Sequence, residues 1–160
     1  MNLILDMDGT LIDGFYDDNN NHVVKPRPHL KDFFEFIFAY FENISIWTHG
    51  DESWYKIVYD ECLKYMLPIN KNFHFVKTRE YGNESYPYKK LSKIYKEYDD
   101  YNEFNTFIID DFSKTYELNI ENSIPIKNYT YTFNEHTDTD DEFLRIIKLF
   151  KKKLFCKCNK

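Results

Sequence analysis

Three short apolar runs, each ending on a polar residue, constrain this chain more than any other feature. They read "LILD" at Leu3–Asp6, "ISIWT" at Ile44–Thr48 and "TFIIDD" at Thr106–Asp111. Short, mostly apolar runs of this kind are typical of strands covered on both faces. The segments between them have a different period. "KPRPHLKDFFEFIFAYF" starts with Pro28 near a helix N-terminus and repeats Leu30, Phe33, Phe34, Ile37, Phe38 and Phe41 at helical spacing. A second helix is expected over Asp51–Met66, with Trp54, Ile57, Val58, Cys62 and Tyr65 on one face and Pro68 ending it. Further helices are expected over Lys89–Tyr98, Ser113–Leu118 and a last stretch with Phe143, Ile146, Ile147 and Phe150 facing inward. "SIPI" at 123–126 reads as another short strand. "DGFYDDNNNH" at 13–22 reads as a loop or distorted hairpin, and "NFHFVKTREYGNESYPY" as a strand, a Gly82-Asn83 turn and a return. Strands alternating with helices predict an α/β fold with a parallel sheet and helices on both faces.

At 160 residues the chain is expected to form one domain over 1–153, followed by a basic tail at 154–160. Net charge is −6, yet the stretch from Arg145 to Lys160 holds Lys and Arg and no acid, so the body is more acidic than the total. An acidic body is a poor partner for duplex nucleic acid, whose binding rests on cations that neutralise phosphates. Three cysteines, Cys62, Cys156 and Cys158, form no CxxC pair, and no basic region precedes an apolar stretch at the N-terminus. No apolar segment is long enough to span a bilayer. The expectation is an intracellular protein, cytoplasmic or nuclear, with no membrane partner. Its oligomeric state is not legible.

In a parallel sheet the carboxyl ends of the strands lie side by side, and ligands bind just beyond them. Asp6, Asp8, Thr48, Asp110 and Asp111 would therefore converge. Crowded carboxylates repel one another unless a cation or a shared proton compensates. An all-oxygen set of this kind suits Mg²⁺. The third acid of the first motif, Asp13, has no expected role beyond the turn.

These residues carry a resemblance. "DMDGTL" resembles the first motif of the haloacid-dehalogenase-like (HAD) phosphatase superfamily, and "WT", a lysine and "DD" follow in that superfamily's order. The chain is similar, more narrowly, to the small phosphatases of the RNA polymerase II C-terminal domain, also called NLI-interacting-factor-like. "RPHLKDFFEF" matches that family's Arg-Pro helix start and "YKKLSKI" its Lys-x-Leu-Ser segment. The similarity runs from Leu3 to about Phe150. It implies a HAD-like Rossmannoid three-layer sandwich with a central parallel sheet and no large cap domain.

The resemblance also implies roles. Asp6 is the nucleophile that forms an aspartyl-phosphate, and Asp8 is the acid and base for the leaving oxygen and the attacking water. Thr48 and the backbone around Met7, Gly9, Thr10 and His49 hold the phosphoryl oxygens. Lys89, with Lys90 as its rival, offsets charge. Mg²⁺ is held by Asp6, the Asp8 carbonyl oxygen and Asp111, with Asp110 assisting. The chain departs from the family at three points. It has "DMDGT" where "DxDET" is usual, His49 where a small residue follows the threonine, and Phe112-Ser113 where Ser-Pro follows the last acids.

Neither the gap from Asp13 to Ile44 nor that from Gly50 to Lys89 has room for a lid with its own core. An open site favours a phosphorylated protein over a metabolite. Trp54, Tyr81, Tyr86, Pro87 and Tyr88 could form an apolar wall for a Pro-containing peptide, against the simpler reading of ordinary packing. The alternatives are a nucleotide or nucleic-acid-end phosphatase on the same fold, or a catalytically inactive phosphopeptide-binding module.

Overall fold

The structure is a computed structural model that describes residues 1–81, 88–131 and 140–155. The expected turn at Gly82-Asn83, the wall residues Tyr86 and Pro87, and Cys156 and Cys158 lie outside the described residues. Five strands form the central sheet: β1 (Asn2–Leu5), β4 (Asn43–Trp47), β5 (Val76–Lys77), β6 (Thr106–Asp110) and β7 (Ser123–Pro125). Their order is β5-β4-β1-β6-β7, and every pairing is parallel. The alternation of side chains along each strand divides the interior into two cores. Leu3, Leu5, Ile44, Ile46 and Ile109 face one, while Ile4, Trp47 and Ile108 face the other. Helices α1 (Leu30–Tyr40), α2 (Glu52–Val58) and α6 (Glu142–Phe155) cover the first core. Phe33 of α1 stacks on Phe143 of α6 at 4.3 Å between ring centroids. Helix α4 (Ser92–Glu97) and Tyr101 cover the second. The result is an α/β three-layer sandwich. Among the described residues no helix is long and apolar enough to cross a membrane.

The polar stretch after the first motif is a regular hairpin rather than a loop. Strand β2 (Ile12–Tyr16) pairs antiparallel with β3 (His22–Pro26), from Ile12 opposite Pro26 to Tyr16 opposite His22. Asp17 makes the turn possible, because its Oδ1 accepts the backbone N–H groups of Asn19 and Asn21. Asn20 takes the left-handed conformation the bend requires (φ 62°).

Two helices depart from expectation. The one predicted over Asp51–Met66 runs as α2, a π-helical turn at Tyr59–Leu63, and α3 (Lys64–Met66). The wider turn shifts the phase of everything after it. Leu63 is therefore buried and Tyr65, expected on the apolar face, is 68% exposed. Helix α4 starts at Ser92, so Lys89 and Lys90 lie in the irregular approach to it. The predicted strand and return near residue 76 is the two-residue β5, which pairs with β4 and passes into a 3₁₀ turn at Arg79–Tyr81. Tyr81 packs edge-on against Trp47 and its hydroxyl donates to Glu97, which is ordinary packing.

Arg27, the arginine of the Arg-Pro helix start, is 1% exposed. Its guanidinium forks onto Asp140 with two bonds of 2.9 Å, and donates to the carbonyls of Gly9, Thr10 and Lys127. The rings of Tyr129 and Phe143 lie within 5.4 and 5.6 Å of it. One buried cation thus ties the first-motif loop, the segment after β7 and the start of α6 together. Removing one partner of a buried ion pair costs about 3–5 kcal/mol, because the other is left uncompensated. Arg27→Met should therefore lower the melting temperature by on the order of 10 °C in a circular-dichroism melt. A shift within about 2 °C would contradict this account of the clamp.

Candidate active site

The carboxyl ends of β1, β4 and β6 meet as the alternation predicts. Asp6 follows β1, Thr48 follows β4, and Asp110 ends β6 with Asp111 after it. All but Asp111 are nearly buried: Asp6 is 5% exposed, Thr48 and Asp110 each 1%. Oxygen atoms of Asp6, Asp110 and Asp111 lie within 4.8 Å of one another. The Asp8 carboxylate is outside that group and points across the cleft toward β4.

Lys89 answers the charge. Its ammonium, 1% exposed, forms ion pairs with Asp6 Oδ1 and with Asp110 Oδ2, the latter at 2.8 Å. Burial works against this charge, but Asp6 and Asp110 outweigh it and hold its pKa above the ordinary lysine value. Burial likewise pushes Asp6 up, to about 7, against the opposing pull of Lys89. Asp8 is raised by burial too, with the hydrogen bonds from Trp54 and Thr48 pulling the other way. Lys90 is exposed and takes no part. The choice between the two lysines is made by Asn119. Its Nδ2 donates to the Lys89 carbonyl at 2.7 Å and its Oδ1 accepts the Leu91 N–H at 2.9 Å, which fixes the backbone that turns Lys89 inward.

The first-motif loop turns at Gly9, whose φ of 75° suits glycine. A Cβ there would also meet Asn128 Nδ2 at 2.4 Å and Asp111 Oδ2 at 2.7 Å. The Gly9 and Thr10 amides donate to Ile12 O and Met7 O. They close the turn, and so face the loop rather than a bound phosphate. The Thr10 hydroxyl reaches into the site instead, at 3.1 Å from Asp6 Oδ2 and 3.3 Å from Asp111 Oδ1. Met7 points into the core and is fully buried. Only its main chain borders the site. His49 lies at the rim, with its ring edge-on to Phe112 at 6.2 Å and its carbonyl accepting from Arg79.

Three neighbours of the site make contacts that the sequence does not reveal. Trp54 Nε1 donates to Asp8 Oδ1 at 2.6 Å, so it is more than the apolar wall or packing residue expected. Asn128 donates to Asp111 Oδ2 at 2.6 Å. The topology could have found it, since Asn128 follows β7, the neighbour of β6. Asp13 has a role after all, because its Oδ2 accepts the Tyr131 N–H at 2.8 Å and pins the same segment.

A family model, NLI interacting factor-like phosphatase, matches residues 1–159. The chain belongs to the NLI interacting factor-like phosphatase family. No curated protein matches it by sequence. Solved structures share the fold of this family member. The fission yeast RNA polymerase II CTD phosphatase Fcp1, as an arginine-to-alanine variant bound to beryllium fluoride, superposes with a TM-score of 0.64 at 19% identity. That match covers 94% of this chain and 51% of that one. A second Fcp1 structure gives 0.60 at 19% identity, over 94% and 50%. A Vibrio cholerae protein described as a 3-deoxy-D-manno-octulosonate 8-phosphate phosphatase gives 0.50 at 10% identity, over 75% and 60%. The family member thus spans about half the length of the Fcp1 structures.

Proposed function

We propose that this chain is a Mg²⁺-dependent phosphatase that works through an aspartyl-phosphate on Asp6 and removes phosphate from serine or threonine in a protein. The observation that carries the reading is the pair of carboxylates just after β1, each held by its own partners. Asp6 is held by Lys89 and Thr10, and Asp8 by Trp54 and Thr48. In the first step an Asp6 oxygen bonds to phosphorus as the bond to the ester oxygen breaks, and Asp8 gives that oxygen its proton. In the second, ionised Asp8 takes a proton from water, whose oxygen attacks phosphorus and releases Asp6 and inorganic phosphate. Lys89 offsets the charge that collects on the phosphoryl oxygens.

The donor set fits Mg²⁺. Three carboxylates face a single ammonium, which leaves negative charge for a cation to balance. Asp110 is already committed, with one oxygen to Lys89 and the other to the Phe112 N–H. Asp6, Asp111 and the Asp8 carbonyl would hold the ion, and Asp110 would assist by anchoring Lys89. A bound cation lets an acidic cleft accept a phosphate dianion.

A protein substrate is favoured by the cleft's surroundings. Between Asp13 and Ile44 the structure has only the β2–β3 hairpin and α1. Beside the acidic cluster, a cleft between that hairpin and α2 holds about 490 Å³, is bordered by Phe15, His22, Trp54 and Arg79, and reaches the site at Asp8. The fission yeast protein that shares the fold is an RNA polymerase II CTD phosphatase. The reading places the chain inside the cell, away from membranes and duplex nucleic acid, as one catalytic domain over 1–153.

Phosphate release should be measured with p-nitrophenyl phosphate, phosphoserine peptides and phosphorylated oligonucleotides, with and without Mg²⁺. The expected result is turnover of the aryl phosphate and the peptides that EDTA abolishes and Mg²⁺ restores. Preference for oligonucleotides would overturn the protein substrate. Peptide binding without any turnover would instead favour a binding module.

A further inference from the structure

Trp54 is built into the site with more care than a packing residue requires. Asp51 caps α2 by accepting the Trp54 N–H at 2.8 Å, which fixes the backbone from which the indole projects. The ring then lies in a slot made by two of the chain's four glycines. A Cβ on Gly14 of β2 would sit 2.2 Å from Trp54 Cζ2, and one on Gly50 would sit 2.8 Å from its Cδ1. The His22 ring packs against the indole at 5.8 Å between centroids. Held from these sides, Nε1 meets Asp8 Oδ1 at 2.6 Å, while Asp8 Oδ2 lies 3.2 Å from the Thr48 hydroxyl.

The two contacts on Asp8 differ in chemistry. An indole N–H can only donate, whereas a hydroxyl can donate or accept. Oδ1 is therefore committed to accepting in either protonation state. The carbonyl oxygen of a carboxylic acid accepts better than its hydroxyl oxygen, so the indole favours the proton on Oδ2, where Thr48 can turn from donor to acceptor and its oxygen is further oriented by the Gly50 N–H at 2.9 Å. We propose that Trp54 is a positioning residue that fixes which oxygen of Asp8 carries the transferable proton and aims that oxygen at the leaving group. The assignment rests on the phosphatase reading above.

A positioned proton matters in proportion to how badly the leaving group needs one. A serine alkoxide is a poor leaving group, while p-nitrophenolate leaves without protonation. Trp54→Phe keeps an aromatic ring in the slot and removes the N–H together with the fused five-membered ring. The kcat on a phosphoserine peptide, divided by that on p-nitrophenyl phosphate, should fall about 10-fold, a fraction of what a general acid supplies in total. KM for the peptide should change much less than kcat. Gly14→Ala, whose Cβ would press on the indole while keeping its N–H, should lower the same ratio. Loss of both activities in equal proportion, or of neither, overturns the assignment. Should Trp54→Phe not fold, Gly14→Ala alone decides by the same ratio. If the unaltered protein turns over neither substrate, the phosphatase reading fails first and the assignment with it. If it is active and only the ratio stays put, Trp54 alone is misassigned.

Discussion

Asp6→Asn should lower kcat on any phosphomonoester by roughly 10⁴- to 10⁶-fold, the scale seen when a covalent nucleophile is removed. The substitution keeps the shape of the side chain and both of its neighbours, Thr10 and Lys89. It removes the charge that attacks phosphorus and one of the two negative partners of Lys89. Asp110 remains at 2.8 Å to hold the ammonium. The variant should consequently fold and should still bind a phosphopeptide, which separates loss of chemistry from loss of structure. Substantial turnover in Asp6→Asn would remove Asp6 as the nucleophile.

Lys89→Met is expected to damage both activity and stability. The lysine is fully enclosed, and its removal leaves Asp6 and Asp110 buried beside each other with Asp111 nearby and no cation between them. Breaking a buried pair in this way costs about 3–5 kcal/mol. A urea titration should show the loss as a lower midpoint with an unchanged slope. Mg²⁺ should restore part of the stability, since it supplies positive charge to the same carboxylates, and should raise the variant's midpoint more than that of the unaltered protein. Activity should not return with it, because no ammonium then faces the phosphoryl group. A midpoint unchanged by Lys89→Met would contradict the electrostatic account of the site. Lys90→Met serves as the control: Lys90 is exposed, and its loss should leave both measurements where they were.

The strand ends were legible because short parallel strands buried on both faces read as mostly apolar runs, and the topology then places their ends together. Asp6, Thr48, Asp110 and Asp111 could thus be grouped without a structure. What stayed illegible depended on contacts distant in sequence. Arg27 and Asp140 are 113 positions apart, and nothing at either position announces the other. Trp54 and Asp8 are 46 apart, in a chain whose 14 Tyr and 15 Phe make any single aromatic unremarkable. Lys89 could not be told from Lys90 by periodicity, since the segment is irregular and its direction is set by Asn119 from another element. Periodicity puts Tyr65 on the apolar face because a π-helical turn leaves no periodic signal before it occurs. Asp13 looked idle for the same reason as Arg27, its partner being the backbone of Tyr131 far along the chain.

The central claim is that phosphate passes through Asp6. The most direct measurement mixes the protein with a phosphopeptide and Mg²⁺, quenches in acid after a few milliseconds, and examines the peptic peptide that holds Asp6 by mass spectrometry. One phosphoryl group on Asp6, removed by hydroxylamine and absent in Asp6→Asn, is the predicted result. Brisk turnover with no such adduct, or an adduct that survives in Asp6→Asn, would contradict it.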